Sequence, residues 1–284
     1  MSVGCNGRTK IDGPTEETAL VDTTSTQPDV QNGLAMLSIP QSAERYWTEG
    51  ALADFLQTVQ ALGLDPAVRA LILTGEPGQP FSHGLELTAV REGSKVASAG
   101  IGRQFAQAFA ALRRFPGVSV AALTGNASDA GLECALCCDF RIAEPGSQFS
   151  MVPARYGLVP VAGGSQLLPR LVGEVWAKRL LLCGETVDAE QALAIGLVDA
   201  VSESGGAVEL AADWARRSFA QGPTAIRATK QLIEHARMRP LETGFAAERD
   251  WLVELQGTAE QIEGVRAGVE GRQPHWQDDS GIQE

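Results

Sequence analysis

Glu133 is the only charged residue in Ala130-Gly-Leu-Glu-Cys-Ala-Leu-Cys-Cys138, a stretch that otherwise reads as a buried helix. A carboxylate in such surroundings must be hydrogen-bonded or put to use in proton transfer. Two segments of the chain share a plan. Leu71-Ile-Leu-Thr-Gly75 leads to Phe81-Ser-His-Gly-Leu-Glu-Leu87, and Val120-Ala-Ala-Leu-Thr-Gly125 leads to Asp129-Ala-Gly-Leu-Glu133. Each is a buried strand that ends in Thr-Gly and turns toward a helix. A helix start offers unsatisfied backbone N–H groups and the positive end of the macrodipole, so two such starts facing one point can hold a developing oxyanion.

The elements that must position these junctions follow from the apolar periodicity. Gly33-Leu-Ala-Met-Leu-Ser-Ile-Pro40 predicts a strand, Thr48 to Leu64 an amphipathic helix, and Val68 to Thr74 a buried strand stopped by Gly-Glu-Pro-Gly. Gly100 to Arg114 predicts another helix, Val118 to Thr124 another strand, and a helix follows from about Ala130. This alternation predicts an α/β domain. From Gly173 the pattern turns mostly helical, with apolar residues at helical spacing in Ala177 to Leu182, Asp188 to Ile195, Ala207 to Ala220, Thr224 to Met238 and Leu241 to Val253. Residues 1–30 are rich in Thr, Gly, Asp, Glu and Pro and read as a flexible leader with one edge strand.

With 284 residues, 44% hydrophobic and 20% charged, the chain can bury one main core. Its formal net charge of -12 repels nucleic acid and anionic lipid, so neither is expected as a partner. No apolar run approaches the roughly 18 residues of a membrane span, and no secretory signal opens the chain. A soluble, cytoplasmic protein is expected. Five cysteines are an odd count, and Cys134, Cys137 and Cys138 crowd one stretch of helix, which fits a reducing compartment. Without a second cysteine pair or a paired histidine motif, these residues predict small apolar packing and no metal site. No Gly-x-Gly-x-x-Gly opens a helix after the first strands and no Walker sequence occurs, which disfavours a dinucleotide enzyme.

Several motifs in order resemble the crotonase, or enoyl-CoA hydratase/isomerase, superfamily. They are Phe81 to Leu87, the Ala130 to Asp139 helix, Phe149 with Pro153-Ala-Arg-Tyr-Gly-Leu-Val-Pro160, Gly163-Gly-Ser-Gln-Leu-Leu-Pro-Arg-Leu-Val-Gly173, and Ala192-Leu-Ala-Ile-Gly-Leu-Val-Asp199. The resemblance runs from about Gly33 to Trp276. It implies a crotonase-like ββα spiral core at 31–200 and a C-terminal helical region at 201–284 that assembles trimers or pairs of trimers. The substrate it implies is an acyl-CoA, or an equivalent carrier-protein thioester. Coenzyme A then arrives as part of that substrate, with no separate cofactor. Two backbone amides, of Leu85 and Ala130, would bind the thioester oxygen of an enolate, within a substrate-binding set of His83, Gly84, Leu85, Glu86, Leu87, Ala130 and Gly131. Glu133 lies three residues after Ala130 on the same helical face and would serve as acid/base; the bland alternative is an N3 residue capping its own helix, for which position 130 lacks the Ser or Thr.

The sequence also departs from the family. Hydratases carry a second acid/base glutamate where this chain has Pro153, which weakens two-carboxylate hydration and leaves single-base proton shuttling, decarboxylation or a C–C lyase step open. Asp129 replaces a glycine beside the oxyanion donor and would either cap N–H groups or move protons. His83 is a substrate contact or a packing histidine. Tyr156, next to Arg155, is a proton donor or core packing, and Glu86 orders its turn. Arg227, Lys230, Arg237 and Arg239 would meet CoA phosphates or form a solvated helix face. The leading expectation is an enoyl-CoA hydratase/isomerase-like enzyme. A C–C hydrolase or decarboxylase of a specialised pathway and a non-catalytic acyl-CoA binder stand as alternatives.

Overall fold

Five short apolar runs become the parallel part of one twisted sheet. The computed structural model describes residues 28–39, 46–76 and 78–276. The leader expected at 1–30 lies outside the described residues except for its last three, which open β1 (Asp29–Gln31). This antiparallel edge strand pairs with β2 (Leu34–Ser38), which runs parallel to β3 (Ala70–Thr74) in the register Met36 to Ile72. Between them α1 (Glu49–Leu64) starts where the Thr48 hydroxyl accepts the Ala51 N–H at 3.1 Å, the expected N-cap. α2 (Lys95–Arg113) begins five residues before the predicted start, because Ser94 caps the Ala97 N–H and lets a polar first turn form. β4 (Val118–Leu123) then lies parallel to β3, and all five residues of β3 are buried, as a strand covered on both faces requires.

The chain next makes β5 (Ala127–Ser128), α3 (Ala130–Leu136), β6 (Phe140–Ala143) and β7 (Gln148–Ser150). α4 (Gly164–Cys183) passes through Pro169 and kinks at Gly173, whose φ of 77° with ψ of 162° is open to glycine. Helix therefore starts before Gly173, where the sequence pattern turned helical; Pro169 masks the periodicity of its first half. β8 (Thr186–Asp188), α5 (Ala189–Ala194) and β9 (Ala200–Val201) complete the strands. The main sheet has the order β1-β2-β3-β4-β6-β9, and a second sheet orders β5-β7-β8. α6 (Ala207–Arg217), α7 (Pro223–Ala236), α8 (Leu241–Leu255) and α9 (Ala259–Glu270) close the chain.

Each face of the main sheet has its own core. On one side Trp47, Phe55, Phe105 and Phe109 pack edge to face, with Trp47–Phe109 centroids 5.2 Å apart. On the other, the small side chains Ala207, Ala211 and Ala215 lay α6 against Ile72, Val120 and Ile142. Cys134, Cys137 and Cys138 are buried and unpaired, and burial pushes the Cys137 thiol to about 12, as expected of packing residues rather than nucleophiles. Among the described residues no helix is long and apolar enough to cross a membrane.

Candidate active site

The two Thr-Gly junctions run side by side. Phe81 N–H donates to Asn126 O at 2.9 Å, Ser128 N–H to Ser82 O at 3.0 Å, and Ser82 pairs with Ala127 as a parallel bridge. Gly131 makes this approach feasible, since a Cβ there would lie 2.4 Å from Ser82 O. A second parallel bridge joins Leu85 to Trp47: Trp47 N–H donates to Gly84 O, and Glu86 N–H to Trp47 O. Extended backbone alternates its polar groups, so the Leu85 N–H faces away from Trp47. Ala130 is the first residue of α3, where an N–H has no intrahelical acceptor. Among the described residues neither the Leu85 nor the Ala130 amide meets an acceptor.

Glu133 is 2% exposed and reaches across to α4 instead of capping its own helix. Its Oε1 accepts the Gly164 N–H at 2.7 Å and the Ala162 N–H at 2.9 Å, and its Oε2 accepts the Val161 N–H at 3.4 Å. The side chain thus occupies the anion site at the start of α4, whose Gly163 supplies no cap. Burial pushes the Glu133 carboxyl above its ordinary value against the pull of those amides, and the nearby Asp129 carboxylate adds to the push.

Asp129 sits between the junctions in backbone that favours glycine, with φ of 46° and ψ of -120°. Such a conformation costs a side-chain-bearing residue on the order of 1–3 kcal/mol. Asp129 Oδ1 accepts the Val152 N–H at 2.6 Å, and Oδ2 lies 3.3 Å from where a Cβ on Gly84 would be. Burial raises its carboxyl too, opposed by the Val152 amide, Arg155 and His83.

Leu85, Asp129, Ala130 and Glu133 line one cavity of about 260 Å³. A family model described as enoyl-CoA hydratase/isomerase matches residues 30–279. The chain belongs to the enoyl-CoA hydratase/isomerase family. It is 31% identical to the mitochondrial methylglutaconyl-CoA hydratase of Rattus norvegicus, over 86% of this chain and 79% of that one. It is also 31% identical to the 2,3-dehydroadipyl-CoA hydratase of Escherichia coli K12, over 86% and 95%. The solved structure of Pseudomonas aeruginosa DspI superposes with a TM-score of 0.85 at 41% identity, covering 92% of this chain and all of that one. The fold is that of the crotonase superfamily, mixed α/β with a C-terminal helical region, and the chain is an enzyme of that superfamily.

Within this enoyl-CoA hydratase/isomerase fold the predicted residues divide into two groups. His83, Gly84, Leu87, Pro153 and Tyr156 line the same cavity as the four residues above. Gly131 lies behind it as a packing glycine, and Glu86 accepts the Thr88 hydroxyl in the turn that opens the 3-10 helix Leu87–Val90. None of Arg227, Lys230, Arg237 and Arg239 lines this cavity. Lys230 instead donates to Asp139 and to the carbonyls of Phe115 and Gly117 at 2.6–2.9 Å, pinning α7 to the sheet. Sequence reasoning missed Tyr46, whose ring stacks on His83 at 5.1 Å, and the amides that hold Glu133. The Gly163-Gly164 pair was the available signal for the latter, a helix start with no side-chain cap.

Proposed function

We propose that the cavity binds an acyl-CoA or carrier-protein thioester and stabilises its enolate through the Leu85 and Ala130 amides, with Glu133 as acid/base. A single observation carries this reading: two amides that meet no acceptor among the described residues and a buried carboxylate line one cavity. An enolate oxygen would give both amides the partner they lack. The preferred reaction is hydration of a 2-enoyl thioester or its reverse, in keeping with the hydratases named among the relatives. Glu133 fits the base role because three N–H groups fix its position, so the carboxylate needs no reorganisation on taking a proton from water. The reaction draws on no cofactor; coenzyme A enters and leaves with the substrate.

The test is a mass-spectrometric screen of purified protein against 2-enoyl, 3-hydroxyacyl, 3-enoyl and malonyl-type thioesters. Interconversion of the first two, lowered by about 10²–10⁴-fold in Glu133→Gln, supports the reading. Loss of CO2 from a malonyl thioester, with the enoyl ester untouched, assigns decarboxylation, and binding with no turnover leaves an acyl-CoA binder. Assembly into trimers, or pairs of trimers, is supported by the exposed Leu241, Leu252, Val253 and Val269 on the C-terminal helices. A solution mass of one chain contradicts it.

A further inference from the structure

Adding water across a conjugated double bond takes two proton transfers: one proton leaves the water that attacks the β-carbon, and one arrives at the α-carbon. Glu133 accounts for the first. The α-carbon is one bond from the thioester carbonyl carbon, so its proton donor must stand within reach of the oxyanion position, over one face of the enolate plane. Asp129 immediately precedes the donor residue Ala130, and its Oδ2 lies over Gly84, which immediately precedes the other donor, Leu85. Oδ1 is engaged by the Val152 N–H at 2.6 Å, whereas Oδ2 makes no hydrogen bond among the described residues. Holding Val152 needs one acceptor oxygen, which an amide would provide equally well; the backbone at φ of 46° is glycine's. A carboxyl at this position is explained by its second oxygen.

We propose that Asp129 is the second proton-transfer group of the site, donating the proton that the α-carbon receives; this rests on the hydratase reading above. Water adds its oxygen to the β-carbon as its proton passes to Glu133, and the π electrons move onto the thioester oxygen as an enolate. The enolate then collapses, taking the Oδ2 proton of Asp129 at the α-carbon. Glu133 now carries the proton that Asp129 has given up, and a solvent relay between them restores the resting state. A neutral Asp129 also adds no negative charge beside the growing enolate. Burial favours that protonated form, while the Val152 amide, Arg155 and His83 oppose it. Among the described residues, Tyr46 and Tyr156 are the other titratable side chains that line the cavity.

The test compares wild type, Glu133→Gln, Asp129→Asn and Asp129→Gly on crotonyl-CoA and longer 2-enoyl-CoA esters, with thermal melts confirming folding. Asparagine keeps an acceptor for Val152 and bears the same backbone strain as aspartate. Asp129→Asn is expected to lower kcat by about 10²–10⁴-fold at little change in KM and to remove the basic limb of the pH–rate profile. Asp129→Gly, free of the strain, is expected to fold and to regain rate with added formate. Asn and Gly variants within about threefold of wild type, or a loss that leaves the pH profile intact and does not respond to formate, overturn the assignment while leaving Glu133 its role. If wild type hydrates none of these esters, the hydratase reading fails first and takes this one with it.

Discussion

The two ends of α3 make opposite use of charge. At its C-terminal end, a second cavity of about 310 Å³ is lined by Arg113, Arg141, Arg170, Lys230 and Arg237 against Asp139 and Glu234, an excess of basic charge in an acidic protein. By charge alone it would be the anion site. Yet Arg141 donates to Leu197 O, Cys138 O and Asp199, and Lys230 to two carbonyls and Asp139. Arg141 and Lys230 are thus spent on joining strands to helices, and Arg113 pairs with Glu234 at 3.4 Å. At the N-terminal end, two amides and one carboxyl oxygen of Asp129 have no acceptor or donor among the described residues. Unused hydrogen-bonding capacity, rather than charge, distinguishes the end fit for chemistry.

Substitutions at the two ends should therefore separate stability from turnover. The largest effect on folding is expected at the C-terminal end: Arg141→Met leaves the Leu197 and Cys138 carbonyls without their donor and Asp199 with only the backbone N–H of residue 141, costing about 3–5 kcal/mol in denaturant melts. The protein that remains folded should keep its kcat; loss of kcat without loss of stability would make that end part of the site. Glu133 belongs to both categories. Glu133→Ala orphans three amides at the start of α4 and should cost about 2–4 kcal/mol, whereas Glu133→Gln keeps an acceptor and should fall within about 1 kcal/mol of wild type. Equal melts for the two variants would deny Glu133 its capping role.

The smallest effect is in pH dependence, and its sign is diagnostic. Asp129 titrates above its ordinary value in the folded protein because of burial, so the folded state holds its proton more tightly than the unfolded chain. Its contribution to stability is complete below the unfolded value near 3.8 and is lost as pH rises through the folded value. Wild type should thus gain on Asp129→Asn as the pH of the melt is lowered toward about 4. A gap that widens in the other direction would mean a lowered, salt-bridged carboxylate.

Much of this architecture was legible in the chain. Thr48 marked the start of α1, the Thr-Gly endings marked the two junctions, and Glu133 stood out as a lone charge among apolar residues. What escaped had no side-chain signature. β5, β7 and β8 have two or three residues each, too few for alternation to register, yet they carry Asp129 and Val152 to their places. The amides that grip Glu133 lie 28 to 31 residues onward, and a backbone donor is silent about its acceptor. α9 (Ala259–Glu270) lies inside the helical region expected at 201–284 but had no bounds of its own, because its apolar positions are few and mostly exposed. Lys230 read as a solvated or phosphate-binding charge because Asp139, its partner, is 91 residues away.

Catalysis by this site depends on the main-chain hydrogens of residues 85 and 130 serving one carbonyl oxygen. Replacing Leu85 or Ala130 with the matching α-hydroxy acid turns that amide into an ester, removing one N–H while keeping the side chain. Among the described residues neither N–H has an acceptor, so each ester costs stability only through the weaker carbonyl before it, Gly84 O to Trp47 or Asp129 O to Glu133, and should melt within about 1 kcal/mol of wild type while kcat/KM on the best thioester falls about 10²–10³-fold. Unchanged kcat/KM in both esters would contradict the account.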